Sequence, residues 1–165
     1  MHDDGCELRI GIDDRNDGVF ATCDFARGDT VMIGVPGRPA PANHSHANQV
    51  SLTAWVFEDG LGPKVNHSCA PNCGVRVNDA VEGFDFVALE PIAAGAEITF
   101  DYAMRNHVIE HFPAGCLCGS PLCRGAVTGW RDLPAERKAA YGELVAPYLL
   151  AADRARAADA SFAAI

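Results

Sequence analysis

Three cysteines in CLCGSPLCRG, spaced Cys116-x-Cys118-x4-Cys123, and the octapeptide NHSCAPNC at 66–73 hold the densest chemistry in this sequence. Thiolates are preferred ligands of zinc, which takes four donors in a tetrahedron at about 2.3 Å from each sulfur. Gly119 and Pro121 let the chain curl so that three sulfurs converge, which leaves a fourth donor to be supplied from elsewhere. Cys69, Cys73 and His67 all qualify on chemistry, and spacing does not choose among them. The competing reading is a loop of reduced, unliganded thiols. The count of seven cysteines is odd and no secretion signal is visible, so disulfides are not expected and metal binding is the better use.

The rest of the composition bounds what this chemistry can serve. At 165 residues the chain suits one domain, able to bury about 68–70% of its unfolded surface. No apolar run reaches the roughly 18–20 residues of a membrane span. The N-terminus, MHDDGCELRIGIDD, is acidic and has no apolar h-region, so the expected location is the cytoplasm. Net charge is −9 and no basic block is present, which argues against nucleic acid as a partner and favours a cationic one.

The elements that must position these residues are mostly short strands. LRIGI (8–12), VFATCDF (19–25) and TVMIGV (30–35) alternate between turn signals, and SLTAWVF (51–57) is a further strand. PGRPAPANHSHANQ (36–49) reads as a loop because of its three prolines. GVRVN (74–78) and FDFVALE (84–90) form a hairpin or meander, and EITFDY (97–102) is a strand. The Ala-rich end is helical, with Pro134 starting a helix and Pro147 ending or kinking it. Its apolar positions Leu144, Val145, Tyr148 and Leu149 pack on the same chain or on a second copy, which leaves a homodimer open. His44, His46, His107 and His111 show no metal spacing and read as solvated loop residues.

NHSCAPNC, then GAEITFDY (95–102), then CLCGSPLCRG (116–125), with RNDGVFATCDFARGD (15–29) ahead of them, resembles the SET-domain protein-lysine methyltransferases with a post-SET zinc loop. The chain looks like a small member of bacterial type. The resemblance covers roughly residues 8–130 and implies a mainly β (α+β) fold: a β-clip-like set of small sheets with knot-like C-terminal threading. It implies a SET domain (8–112) and a post-SET zinc loop (113–130), and the C-terminal helical tail (131–165), read from composition, lies beyond it. It implies S-adenosyl-L-methionine as methyl donor, held by Asn16, Asp17, Gly18, Val19, Phe20, Asn66, His67, Tyr102 and Trp130. Tyr102 takes the place of the active-site tyrosine. Phe100 takes a position where Phe, unlike Tyr, leaves space for more than one methyl. The family selects Cys69, with Cys116, Cys118 and Cys123, as the ligands of one structural Zn2+.

The sequence also departs from the family. Asn16 stands where the first glycine of the opening segment is usual, and Pro63 and Lys64 stand where an Arg and an aromatic are common. No tyrosine precedes Tyr102, so Trp55 or Phe57 is expected to line the wall an upstream tyrosine usually forms. The expected activity is S-adenosylmethionine-dependent N-methylation of a lysine on a basic protein or peptide. One alternative is methylation of a small-molecule amine or amino acid, since the insert before NHSC is short. The other is a non-catalytic, zinc-stabilised binding module. Neither nucleic acid nor membrane is an expected partner.

Overall fold

A computed structural model of the chain describes residues 2–3, 5–13, 16–35, 37–41, 47–80, 83–110, 112 and 115–162. The alternating N-terminal segments pair as expected. Strand β1 (His2–Asp3) lies along β2 (Cys6–Asp13), and β2 pairs antiparallel with β3 (Asn16–Ala21), Leu8 opposite Val19. Val19 is fully buried and its partner Leu8 packs against the core, while Ile10, farther along the hairpin, is exposed. Residues beyond Ala21 leave the strand, and Phe25 makes a single bridge to Ile92. Strand β4 (Thr30–Met32) is shorter than TVMIGV suggested.

The stretch expected to be a loop contains a strand, β5 (Gly37–Ala40). It forms a separate sheet with β6 (Asn48–Ser51) and β7 (Ala54–Glu58), in the order β5-β7-β6. Pro39 is tolerated because β5 is an edge strand, whose outer side needs no ladder donor. The expected strand at 51–57 is broken by a turn at Leu52–Thr53, so Ser51 and Ala54 face each other in the β6–β7 hairpin. His44, His46 and His111 lie outside the described residues.

The remaining strands build the centre. Strand β8 (Asn66–His67) precedes the hairpin of β9 (Cys73–Asn78) and β10 (Gly83–Ala88), and β11 (Glu97–Phe100) follows. The large sheet runs β1-β2-β3-β11-β9-β10-β4, with β8 beside β11. Glu97 and Ile98 pair with β3, whereas Thr99 and Phe100 run parallel to Asn66 and His67. The NHSC segment and the segment leading into Tyr102 are thereby threaded side by side. Asn72 completes the seam: Thr99 N–H donates to its Oδ1 at 2.9 Å, and its Nδ2 donates to Glu97 O at 2.8 Å.

The tail contains α1 (Ala135–Tyr141) and α2 (Pro147–Phe162). Pro134 caps α1 as expected, but the stop is Gly142, at φ +56°, a left-handed conformation that glycine tolerates. Pro147 instead begins α2, where its missing N–H costs nothing. No described helix is long and apolar enough to cross a membrane. The tail packs on its own chain: Trp130, Tyr141, Val145 and Leu149 join Val75, Phe86, Ile98, Phe100 and Met104 in one core. The approach is tight at Gly74, where a Cβ would sit 2.6 Å from Leu144 Cβ and 2.9 Å from its carbonyl oxygen.

Leu149 is fully buried at this seam. Leu149→Ala is expected to destabilise the protein by about 2–5 kcal/mol, read from the urea midpoint. An unchanged midpoint would mean that the tail is not part of the core.

Candidate functional site

The four family-selected cysteines converge. The Sγ atoms of Cys69, Cys116, Cys118 and Cys123 all lie within 4.8 Å of one another, and Cys69 is 3.9 Å from Cys116. A tetrahedron of sulfurs around zinc has edges of about 3.8 Å, so this donor set fits the metal. Backbone N–H groups already point at two of the sulfurs: Arg124 N–H donates to Cys69 at 3.4 Å, and Gly125 N–H donates to Cys123 at 3.4 Å. Burial pushes the Cys69 and Cys116 thiols up. Desolvation also acts on Cys118, but hydrogen bonds from the Cys69 and Ser120 backbone outweigh it and bring that thiol down to about 7. Cys73 is not in the group. It begins β9 and is fully buried in the core, and desolvation raises its thiol strongly.

Asp101, with 0% exposure, ties this loop to the rest of the molecule. Arg124 from the cysteine loop forks onto its two oxygens at 2.7 and 3.0 Å. Tyr141 at the end of α1 donates its hydroxyl at 2.7 Å, and Ala103 N–H donates at 3.1 Å. Desolvation and the adjoining carboxylate push the Tyr141 hydroxyl up, so it remains a donor. Arg124 and Tyr141 could not be foreseen from the sequence as partners of Asp101, because neither has a fixed spacing from it.

Tyr102 follows Asp101 and heads a 3-10 turn, Tyr102–Met104. Its hydroxyl donates to Val65 O at 3.2 Å. Three rings surround it, with centroids 5.3 Å away for His67, 5.0 Å for Phe100 and 5.7 Å for Phe112. Phe100 is buried, edge-on to Phe86 at 5.2 Å, so its position is fixed by packing. Phe112 is half exposed and forms the outer side of the niche; its place in HVIEHFP carried no signal in the sequence.

The opening segment approaches this niche through Asn66. Its Nδ2 donates to Asp17 O and to Glu97 Oε1, both at 2.8 Å, which leaves its Oδ1 as an acceptor. Lys64, the departure from the usual pattern, pairs with the Asp17 carboxylate at 3.1 Å. Asn16 and Asp17 lie in β3 beyond the reach of β11, whose register covers only Val19 and Phe20. Gly18 is buried between them, and the Phe20 ring carries the Arg9 guanidinium at 4.3 Å.

Two expected cofactor contacts are placed differently. The His67 ring is 6% exposed, with Nε2 against Cys69 Sγ at 3.3 Å and Nδ1 against Tyr102 N at 3.3 Å. Burial lowers its pKa to about 4, against the pull of Asp101, so the ring is neutral. Trp130 is 1% exposed, its indole N–H donates to Asp153 at 2.9 Å, and Lys138 lies over its ring. The helical tail was expected, but nothing in its sequence marked Asp153 as the partner of Trp130. Trp55 and Phe57 both stand in β7, where Trp55 opposes Gln49 and Phe57 opposes Arg38. His107 is half buried; its N–H donates to Gln49 Oε1 at 2.8 Å.

Purified protein is expected to carry one zinc per chain by elemental analysis. If the metal had been present at about 100 times its Kd, chelation should lower stability by about 2.7 kcal/mol. Cys123→Ser should abolish most of both effects. A metal-free chain of unchanged stability would overturn the zinc assignment.

A family profile described as SET domain matches residues 16–103, just over half of the chain. Similar curated proteins include the histone-lysine N-methyltransferase ATXR3 of Arabidopsis thaliana, 42% identical over 67 residues, covering 38% of this chain and 3% of the relative. The H3 lysine-4 specific histone-lysine N-methyltransferase of Schizosaccharomyces pombe is 42% identical over 64 residues, covering 37% and 6%. That of Saccharomyces cerevisiae is 35% identical over 68 residues, covering 40% and 6%. The chain thus spans a small fraction of the length of these relatives. A profile match from the opening strand to the Tyr102 turn, on the threaded strands just described, establishes that the chain belongs to the SET-domain family.

Proposed function

We propose that this chain is an S-adenosylmethionine-dependent N-methyltransferase acting on a protein lysine side chain, with one structural Zn2+ on Cys69, Cys116, Cys118 and Cys123. The observation that carries the reading is the niche of Tyr102. A hydroxyl anchored to a backbone carbonyl stands among Phe100, Phe112 and His67, next to the Asn66–Asp17 junction.

S-adenosylmethionine, when bound, supplies an electrophilic methyl on a sulfonium. The chain has groups suited to its zwitterionic end: the Lys64 cation, the Asn66 Oδ1 acceptor and the β3 backbone around Asn16, Asp17 and Gly18. Val19 and Phe20 serve by holding that backbone in the sheet. His67 contributes through its backbone, because its ring is occupied.

A lysine must be neutral to attack, yet its free pKa is about 10.4. Transfer into an apolar aromatic niche favours the neutral amine. The Tyr102 proton is engaged by Val65 O, so the phenolic oxygen turns lone pairs, not a proton, toward an amine. Its role is to orient. Positioning of this kind contributes about 7–11 kcal/mol to reactions with well-aligned partners. The H3 lysine-4 specificity named for the yeast relatives makes histone H3 peptides the first substrates to test. The short sheet over Gly37–Glu58 favours a second reading, a small-molecule amine as acceptor.

The test is transfer of labelled methyl to H3 peptides, other basic proteins and small amines, with products read by mass spectrometry. Tyr102→Phe is expected to lower kcat by about 10²–10³-fold while cofactor affinity holds. Phe100→Tyr should shift products toward monomethylation. The proposal fails if calorimetry finds no binding of S-adenosylmethionine or its demethylated product; transfer to small amines alone would favour the second reading.

A further inference from the structure

The His67 ring stands between the candidate metal centre and the candidate catalytic tyrosine, touching both. Tyr102 N–H can only donate, so the ring atom it meets, Nδ1 at 3.3 Å, must be the acceptor. The ring proton therefore sits on Nε2. That nitrogen lies 3.3 Å from Cys69 Sγ, and a metal-bound thiolate is an acceptor. Both contacts are shielded, since His67 is 6% exposed and Cys69 0%. Asp101 Oδ1 lies 3.6 Å from Nδ1, beyond hydrogen-bonding distance, and it already accepts from Ala103 N–H.

We propose that His67 is a positioning residue: locked as its Nε2–H tautomer, it links zinc-bound Cys69 to the backbone of Tyr102, so that metal loading sets where the tyrosine stands. The inference deepens the function proposed above and rests on its metal assignment. Zinc on Cys69 fixes the sulfur, the sulfur fixes the ring through N–H···S, and the ring fixes the first residue of the Tyr102–Met104 turn. The opposite end of the tyrosine is pinned by Val65 O, one residue before NHSC. One short segment, Val65–Cys69, thus holds Tyr102 by its backbone and by its hydroxyl, and reaches the metal with its last residue. Phe112 and Phe100 pack against the ring, and Asn106 Nδ2 donates to the Tyr102 carbonyl at 2.9 Å on the side away from the metal loop.

The test uses the full chain, isotopically labelled and titrated with Zn2+. Imidazole nitrogen NMR, assigned through the proximity of His67 to the Tyr102 amide, should show the Nε2–H tautomer. The Tyr102 amide resonance should shift when zinc is stripped by a chelator. His67→Phe, which keeps a ring without nitrogens, should weaken zinc retention in chelator competition by about 10–100-fold, the range for losing a group that orients a metal ligand. In that variant the Tyr102 amide should stop responding to zinc. An Nδ1–H tautomer in the loaded protein overturns the proposal even if His67→Phe does not fold. So does a folded His67→Phe chain with undiminished zinc affinity. A chain that takes up no Zn2+ fails the metal assignment and overturns the link with it, whereas absence of methyl transfer alone leaves the NMR outcome to decide.

Discussion

A carboxylate with no contact with water needs a cation and a full set of donors, and Asp101 finds them in three different parts of the chain. Arg124 comes from the cysteine loop, Tyr141 from the end of α1, and Ala103 from the turn that Tyr102 begins. Removing one partner of a buried ion pair costs about 3–5 kcal/mol, because the other is left uncompensated. That cost makes the three contacts conditional on one another. The cysteine loop cannot drift from the tail without exposing Asp101, and Asp101 cannot move without carrying Tyr102, its neighbour in sequence.

The surrounding architecture serves this carboxylate. β11 delivers Asp101 after lying between β3 and β8, and Asn72 locks β11 by mimicking a strand edge with its side-chain amide. A second buried pair repeats the pattern on the other side of the Tyr102 turn. Arg105, 1% exposed, forks onto Glu58 of β7 at 2.6 and 2.9 Å, while Tyr148 of α2 donates to the Arg105 carbonyl. Residues 101–105 are thus held by the insert sheet, the cysteine loop and both helices. That suits a reaction in which the protein mainly aligns partners, since positioning tolerates little backbone motion.

Motifs made much of this legible. The cysteine spacing pointed to a metal, and NHSC with EITFDY pointed to a threaded pair of strands; the structure brings them together. What could not be read were contacts with no periodicity. Arg124 is a lone cation inside a cysteine motif, and its reach to Asp101 depends on how the loop folds back. Trp130 was assigned by its place after the zinc loop, but two helices with no recognisable motif cover it. The strand at Gly37–Ala40 was hidden by its own proline, which forbids a central strand but not an edge. Pro147 was read as ending or kinking the first helix and instead starts the second, because the true stop, Gly142, lies five residues earlier.

The most direct test of the account is hydrogen exchange on the full chain with and without zinc. If Asp101 and His67 join the cysteine loop to the Tyr102 turn and the tail, stripping zinc should lower protection at residues 100–105 and around Tyr141 as well as at 116–125. Loss of protection confined to 116–125 would show that the loop hangs free of the site, and would contradict it.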